Sequence, residues 1–172
     1  MKQSDLNNYF STVWQSNLKQ YKYSGWALVE KIQPGELVLD VGCGFNEFKN
    51  KIPNLVGIDP ANDLADFKVS IENFRNDIKF DVAFCLGSIN FGSGANIITQ
   101  IKCVVNCLKP KSRIYWRCNP GLKDHDNSEC NDINFYSWTI EKHIEFADLF
   151  GYKLAVARWD TGNRIYAEWV SL

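Results

Sequence analysis

Long apolar runs are missing from this chain. None of its 172 residues sits in a stretch approaching the roughly 20 needed to cross a bilayer, and the opening Met1-Lys2-Gln3-Ser4-Asp5 does not read as a secretory signal. Charge of one sign is missing too. Nineteen basic residues face twenty acidic ones, for a net charge of −1, so nothing global points to nucleic acid or a membrane surface. The six cysteines, Cys43, Cys85, Cys103, Cys107, Cys118 and Cys130, form no Cys-x-x-Cys pair. Most lie in apolar contexts, as reduced core thiols do, which predicts a reducing, cytoplasmic setting. There is no internal repeat and no low-complexity segment. A content of 45% hydrophobic and 23% charged residues is that of one ordinary globular domain.

What is present begins at Leu37. Val38 to Val41 read as a short buried strand. Gly42 and Gly44 come next, where a chain leaving a strand turns sharply and glycine lets backbone N–H groups approach a ligand. A second apolar strand, Leu55-Val56-Gly57-Ile58, ends in Asp59. An acid at the end of the second strand of a nucleotide-binding α/β unit is placed for ribose hydroxyls. Taken alone, the glycine pair also fits a tight strand-to-helix turn in another α/β protein.

The rest reads as alternating elements. Leu6, Phe10, Val13, Trp14 and Leu18 recur at helix spacing, and a second short helix is predicted over Gly25 to Ile32 with Ser24 as its cap. Pro34-Gly35 then breaks the pattern. Phe67 to Ile71 is a weak candidate strand. Phe80 to Leu86 is nearly all apolar, as buried parallel strands are. It runs into Gly87-Ser88-Ile89-Asn90-Phe91-Gly92-Ser93-Gly94, which should face the Gly42–Gly44 loop beyond the carboxyl ends of the strands. Ile97, Ile98, Ile101, Val104, Val105 and Leu108 predict a helix stopped by Lys109-Pro110-Lys111. Arg113 to Cys118 is a further strand. A polar loop spans 119–134. Ile140, Ile144, Ala147 and Phe150 predict a last helix capped at Gly151, and two strands, Lys153 to Trp159 and Arg164 to Trp169, form a closing hairpin.

Asp40-x-Gly42-x-Gly44 together with Gly57-Ile58-Asp59 resembles the first two motifs of the class I S-adenosylmethionine-dependent methyltransferases. Asn46 stands where a third glycine is frequent; asparagine tolerates the left-handed region better than most residues. The closing hairpin is similar to that family's last strand pair. The resemblance covers residues 35–170 and implies a three-layer, Rossmann-like α/β fold, with a mostly parallel seven-stranded sheet and a C-terminal antiparallel hairpin. It also implies a single domain, with residues 1–33 as an N-terminal helical lid and 35–170 as the core. Tyr21, Tyr23 and Trp26 are lid residues that would line a pocket if they are not simply packed.

The resemblance implies S-adenosyl-L-methionine as cofactor. Asp40 would orient its methionine ammonium, and Gly42, Cys43 and Gly44 would supply a close backbone surface. Asp59 would take the ribose hydroxyls, with Ile58 and Pro60 near the adenine, and Leu86, Gly87 and Ser88 would lie along the methionyl part. The adenine-amine contact falls among Ser70, Ile71 and Glu72. Asp59→Ala is expected to weaken donor binding with little loss of folding. His125 is the candidate general base, since its ordinary pKa suits neutral pH; the bland reading is a solvated histidine between two acids. His143 reads as structural or surface. Asp124, His125, Asp126, Glu129 and Asp132 are read as solvated rather than as a metal site. From Lys102 to Lys123 there are six basic residues and no acid, and Arg117, near a strand's carboxyl end, is placed either for an anionic substrate or as surface charge.

The acceptor is not legible. Leu86-Gly87-Ser88-Ile89 lacks the Asn/Asp-Pro-Pro-Tyr signature of amino-methylating DNA enzymes, and the chain lacks the Pro-Cys nucleophile of cytosine C5 enzymes. A small-molecule or peptide-sized acceptor is the reading taken. Two rivals stand beside the enzyme: a non-catalytic binding protein on the same fold, and a nicotinamide-dependent oxidoreductase. Glu47, standing where the dinucleotide fingerprint wants glycine or alanine, speaks against the second.

Overall fold

The computed structural model describes residues 3–121 and 133–172. Its centre is a six-stranded sheet of β1 (Val38–Val41), β2 (Leu55–Ile58), β3 (Phe80–Leu86), β4 (Leu108–Cys118), β5 (Tyr152–Asp160) and β6 (Arg164–Ser171), in the order β2-β1-β3-β4-β6-β5. The first four are parallel. β6 then runs antiparallel to β4, and β5 antiparallel to β6. Strand order reverses between β1, which pairs with β2 on one side, and β3 on the other. That reversal opens a crevice at the carboxyl ends of β1 and β3.

Side chains alternate across the sheet, as strand geometry requires, except at the register shifts between Phe80 and Val82 and between Leu154 and Val156. Leu39, Val41, Ala83, Cys85, Ile114, Trp116, Ala167 and Trp169 face one core, while Val38, Val82, Phe84, Tyr115 and Tyr166 face the other. The first core is covered by α2 (Gly94–Asn106) and α3 (Ile140–Leu149). Ile97, Ile101 and Val104 of α2 are wholly buried there, each worth roughly 2 kcal/mol of apolar transfer. The second core is covered by two short 3-10 turns, Trp26–Lys31 and Glu47–Asn50, through Leu28 and Phe48. α1 (Gln3–Thr12) packs Leu6 and Tyr9 against Ile133 and Phe135 in a small separate cluster.

Among the described residues the sheet has six strands, not the expected seven. Phe67 makes one parallel bridge to Ile58 and the pairing goes no further. Asp66 explains why: its carboxylate takes the Gly57 N–H at 2.8 Å and its own N–H binds the Gly57 carbonyl. A side chain thus does what a neighbouring strand would do, and Phe67 and Lys68 are left exposed. The N-terminal helix is also shorter than its periodicity predicts, ending at Thr12. The turn predicted to be capped by Ser24 is 3-10 and its N-cap is Gly25, which has no side chain to cap with; the Ser24 hydroxyl is engaged by Asp160 instead. Lys109-Pro110-Lys111 does not cap α2; it is already part of β4. No helix of the described residues is long and apolar enough to cross a membrane.

Candidate functional site

A cavity of about 790 Å³ lies over the crevice between β1 and β3. All ten residues expected around the donor line it: Asp40, Gly42, Cys43 and Gly44 from the first loop, Ile58, Asp59 and Pro60 from the end of β2, and Leu86, Gly87 and Ser88 from the end of β3. His125 and the acids around it lie outside the described residues. Among the described residues no cluster of His, Cys, Asp or Glu is arranged to hold a metal ion.

The two glycines are required by space as well as by backbone. Gly42 has φ +70°, and a Cβ there would stand 2.4 Å from the Ser88 Cβ, so the first and third strand-end loops touch through a glycine. Gly44 has φ +54°, and its Cβ would lie 2.7 Å from the Trp14 ring. The turn closes through Asn46, which is left-handed at φ 56°, as its composition predicts. The chain continues into a four-residue 3-10 turn and not an α-helix. The loop therefore has no helix dipole with which to hold a pyrophosphate. Glu47, at the start of that turn, accepts a hydrogen bond from Ser16 and lines the cavity.

Asp59 is a brace as much as a candidate ligand. One oxygen accepts the Gly44 N–H at 2.9 Å; the other accepts from Ala61 at 2.7 Å and Asn62 at 3.0 Å. It ties the glycine loop to the β2 end. Alanine there would orphan three N–H groups, which corrects the expectation that folding would hardly notice. Carboxylate lone pairs remain for a ligand hydroxyl.

Asp40 is different. It is 3% exposed, and its carboxylate accepts no hydrogen bond among the described residues. Burial, and then the nearby Asp59 charge, push its pKa up to about 7. Ser88, across Gly42, has a buried hydroxyl with no hydrogen-bond partner among the described residues. A raised carboxyl and an unpartnered buried hydroxyl thus flank one glycine at the cavity wall.

The roof comes from the N-terminal segment. Leu6, Tyr9, Phe10, Trp14, Leu18 and Tyr21 line the cavity. Trp14 stacks on Phe45 of the glycine loop at 5.9 Å between ring centres, and Phe10 meets Phe91 edge-on at 5.5 Å. Of the three predicted lid aromatics only Tyr21 reaches the cavity. Tyr23 stacks on Tyr166 and Trp26 packs against Phe48, both below it. The cavity-lining role of Phe10 and Trp14 was not readable, because at helix spacing they look like ordinary core.

Three further features organise the walls. Asn90 fixes the loop after β3: its side chain accepts the Asn119 N–H at 3.0 Å and its carbonyl accepts the Tyr136 N–H at 2.7 Å. Near the expected adenine end, Gln100 of α2 donates to Glu72 at 2.8 Å, and both line the cavity with Ser70 and Ile71. At the opposite end Asp160 accepts hydrogen bonds from the backbone N–H groups of Tyr23, Ser24 and Thr161, from the Ser24 hydroxyl and from Arg117. Burial alone would raise the Asp160 pKa; these donors outweigh it and hold the group below its ordinary value. Arg117 is therefore neither plain surface charge nor an open cation, but part of a buried cluster that also lines the cavity. His143 is buried against Trp138 and Trp169, accepts the Trp169 indole N–H at 3.2 Å, and is lowered to about 3 by burial. It is a core residue, not a proton carrier.

No protein-family model matches the chain, and no curated protein matches it in sequence. Solved structures do match in fold. The Burkholderia thailandensis 1,6-didemethyltoxoflavin N1-methyltransferase, with bound 1,6-didemethyltoxoflavin and S-adenosylhomocysteine, has a TM-score of 0.74 at 13% identity, over 98% of this chain and 86% of that one. The magnesium protoporphyrin IX methyltransferase of Synechocystis, with bound S-adenosylhomocysteine, has a TM-score of 0.71 at 13% identity, over 98% and 99%. An amino pentose methyltransferase of Micromonospora echinaspora, with bound S-adenosylmethionine, has 0.64 at 15% identity, over 100% and 98%. The chain has the class I S-adenosylmethionine-dependent methyltransferase fold.

Proposed function

We propose that this chain binds S-adenosyl-L-methionine and transfers its methyl group to a small-molecule acceptor. The observation that carries the reading is the placement of Asp40 and Ser88 on either side of Gly42 at the topological switch point, a carboxyl raised to about 7 by burial and by Asp59 and a buried hydroxyl without a partner among the described residues, both lining the cavity. Asp40 would take the donor's ammonium, and Ser88 with Leu86 and Gly87 would lie along its methionyl chain. Asp59 would take the ribose hydroxyls through its remaining lone pairs, with Ile58 and Pro60 beside the adenine. Gly42, Cys43 and Gly44 admit the ligand against bare backbone. Bound there, the donor supplies a methyl group already activated by its sulfonium charge. The protein's work is then to align the acceptor and exclude water, and the aromatic roof of Phe10, Trp14 and Tyr21 suits both tasks.

A small acceptor is favoured by the aromatic roof of Phe10, Trp14 and Tyr21 over part of the cavity. The fold neighbours, from a toxoflavin precursor enzyme to an amino pentose enzyme, support that size class. The test is incubation with S-adenosylmethionine and a panel of small nitrogen, oxygen and carbon acceptors, read as S-adenosylhomocysteine formed. Acceptor-dependent product supports the enzyme. Donor binding with no product from any acceptor leaves a binding protein on the same fold.

A further inference from the structure

The cavity is charged unevenly. Among the described residues, six charged ones line it: the acids Asp40, Glu47, Asp59 and Glu72, and the bases Arg117 and Arg164. The acids all come from the segments around β1 and β2, where a cationic donor would bind. Both bases stand at the other end, Arg117 near the end of β4 and Arg164 at the start of β6, beside the hairpin tip at Gly162.

Arg117 is adjacent to the proposed reaction centre. Its backbone is in register with Leu86 on one side and Tyr166 on the other, so it stands one strand spacing, about 4.8 Å, from the Leu86-Gly87-Ser88 end. The guanidinium has five N–H groups. Nη1 donates to Asp160 at 2.9 Å and to Ser24 at 3.1 Å, and Nη2 donates to the Thr161 carbonyl at 2.9 Å. The Nε–H and the second Nη2 hydrogen make no hydrogen bond among the described residues. The plane is held over the Tyr21 ring, 3.9 Å from its centre, and Tyr21 also lines the cavity. Arg117 is therefore rigid, with donors to spare. Arg164 brings a second guanidinium to the same wall, its Nη1 donating to the Gly162 carbonyl at 2.8 Å; burial and then the Arg117 charge lower its pKa.

We propose that this wall receives an oxyanion of the methyl acceptor, a carboxylate or a phosphate, bound by the spare donors of Arg117 with Arg164 beside it. A pre-oriented guanidinium matches such a group geometrically. The acceptor assignment rests on the methyltransferase reading, and the acidic and basic ends would then sort cationic donor from anionic acceptor.

The experiment tracks the Arg117 Nε–H signal by nuclear magnetic resonance in protein saturated with S-adenosylhomocysteine. Sodium benzoate and inorganic phosphate are titrated, with benzamide as the neutral isostere. A saturable shift with benzoate or phosphate, and none with benzamide, is expected. Arg164→Gln should weaken that binding about tenfold, and Arg164→Lys should keep most of it. No shift with either anion overturns the proposal, as does an unchanged affinity in Arg164→Gln. A shift seen only in a parallel sample without S-adenosylhomocysteine also overturns it, since the wall would then hold the donor's own carboxylate. Because S-adenosylhomocysteine is titrated first in the same sample, its failure to bind is seen separately and removes the methyltransferase reading itself.

Discussion

Asp40 carries two opposed demands. Its carboxyl is buried beside Asp59 without a donor, so in the folded protein its pKa stands at about 7, against about 4 in an unfolded chain. The folded state therefore holds a proton that the unfolded state has lost across that interval. Stability from the neutral form is complete below about pH 4 and is lost as pH rises through 7, at up to about 1.4 kcal/mol per pH unit. Asp40→Asn stays neutral throughout. Its melting temperature should exceed that of the parent protein at pH 8 and approach it at pH 4, while S-adenosylhomocysteine binding falls at least about tenfold. Equal pH profiles for the two proteins would show that Asp40 is not strained in this way. A charged group kept at a cost in folding is what a binding site looks like at the scale of one residue.

At the scale of elements, the loops are held together by carboxylates more than by helices. Asp59 joins the glycine loop to β2, Asp66 replaces a seventh strand, and Asp160 fastens residues 23–24 to the closing hairpin. Asp160→Ala would leave Arg117 buried beside no acid. Urea denaturation should show a loss of about 3–5 kcal/mol, and a loss under about 1 kcal/mol would mean that the cluster holds nothing. The strands were the legible part of the fold. β1 and β3 match their apolar runs, because a buried parallel strand writes itself as an unbroken run. Helix phase was less legible. In α3 the predicted Ile140 and Ile144 are exposed, at 37% and 54%, while Ala147 of the same predicted face is buried beside His143 and Phe146. A neutral histidine paired with an indole is acceptable to the core, so the polar letter at position 143 hid the true face. Carboxylates bonded to distant backbone, such as Asp66 and Asp160, leave no local pattern to read.

The whole molecule is a sheet whose switch point carries one cavity end lined with acids and another lined with arginines, under an aromatic roof. The acidic end was legible because its spacing, strand then glycine pair then strand then acid, is dictated by local geometry. The basic end was legible only in part: Tyr21 and Arg117 are candidates from the sequence, whereas Asp160 and Arg164 come from the closing hairpin, which only the fold brings to them. The central claim is that the acidic end binds the methyl donor. Calorimetric titration with S-adenosylhomocysteine, beside NAD as a control, tests it most directly, run at pH 6 and pH 8. We predict saturable binding of S-adenosylhomocysteine alone, tighter at pH 8 because Asp40 must be ionised to meet the ammonium. Absence of binding by a folded sample, or binding of NAD in its place, would contradict the account.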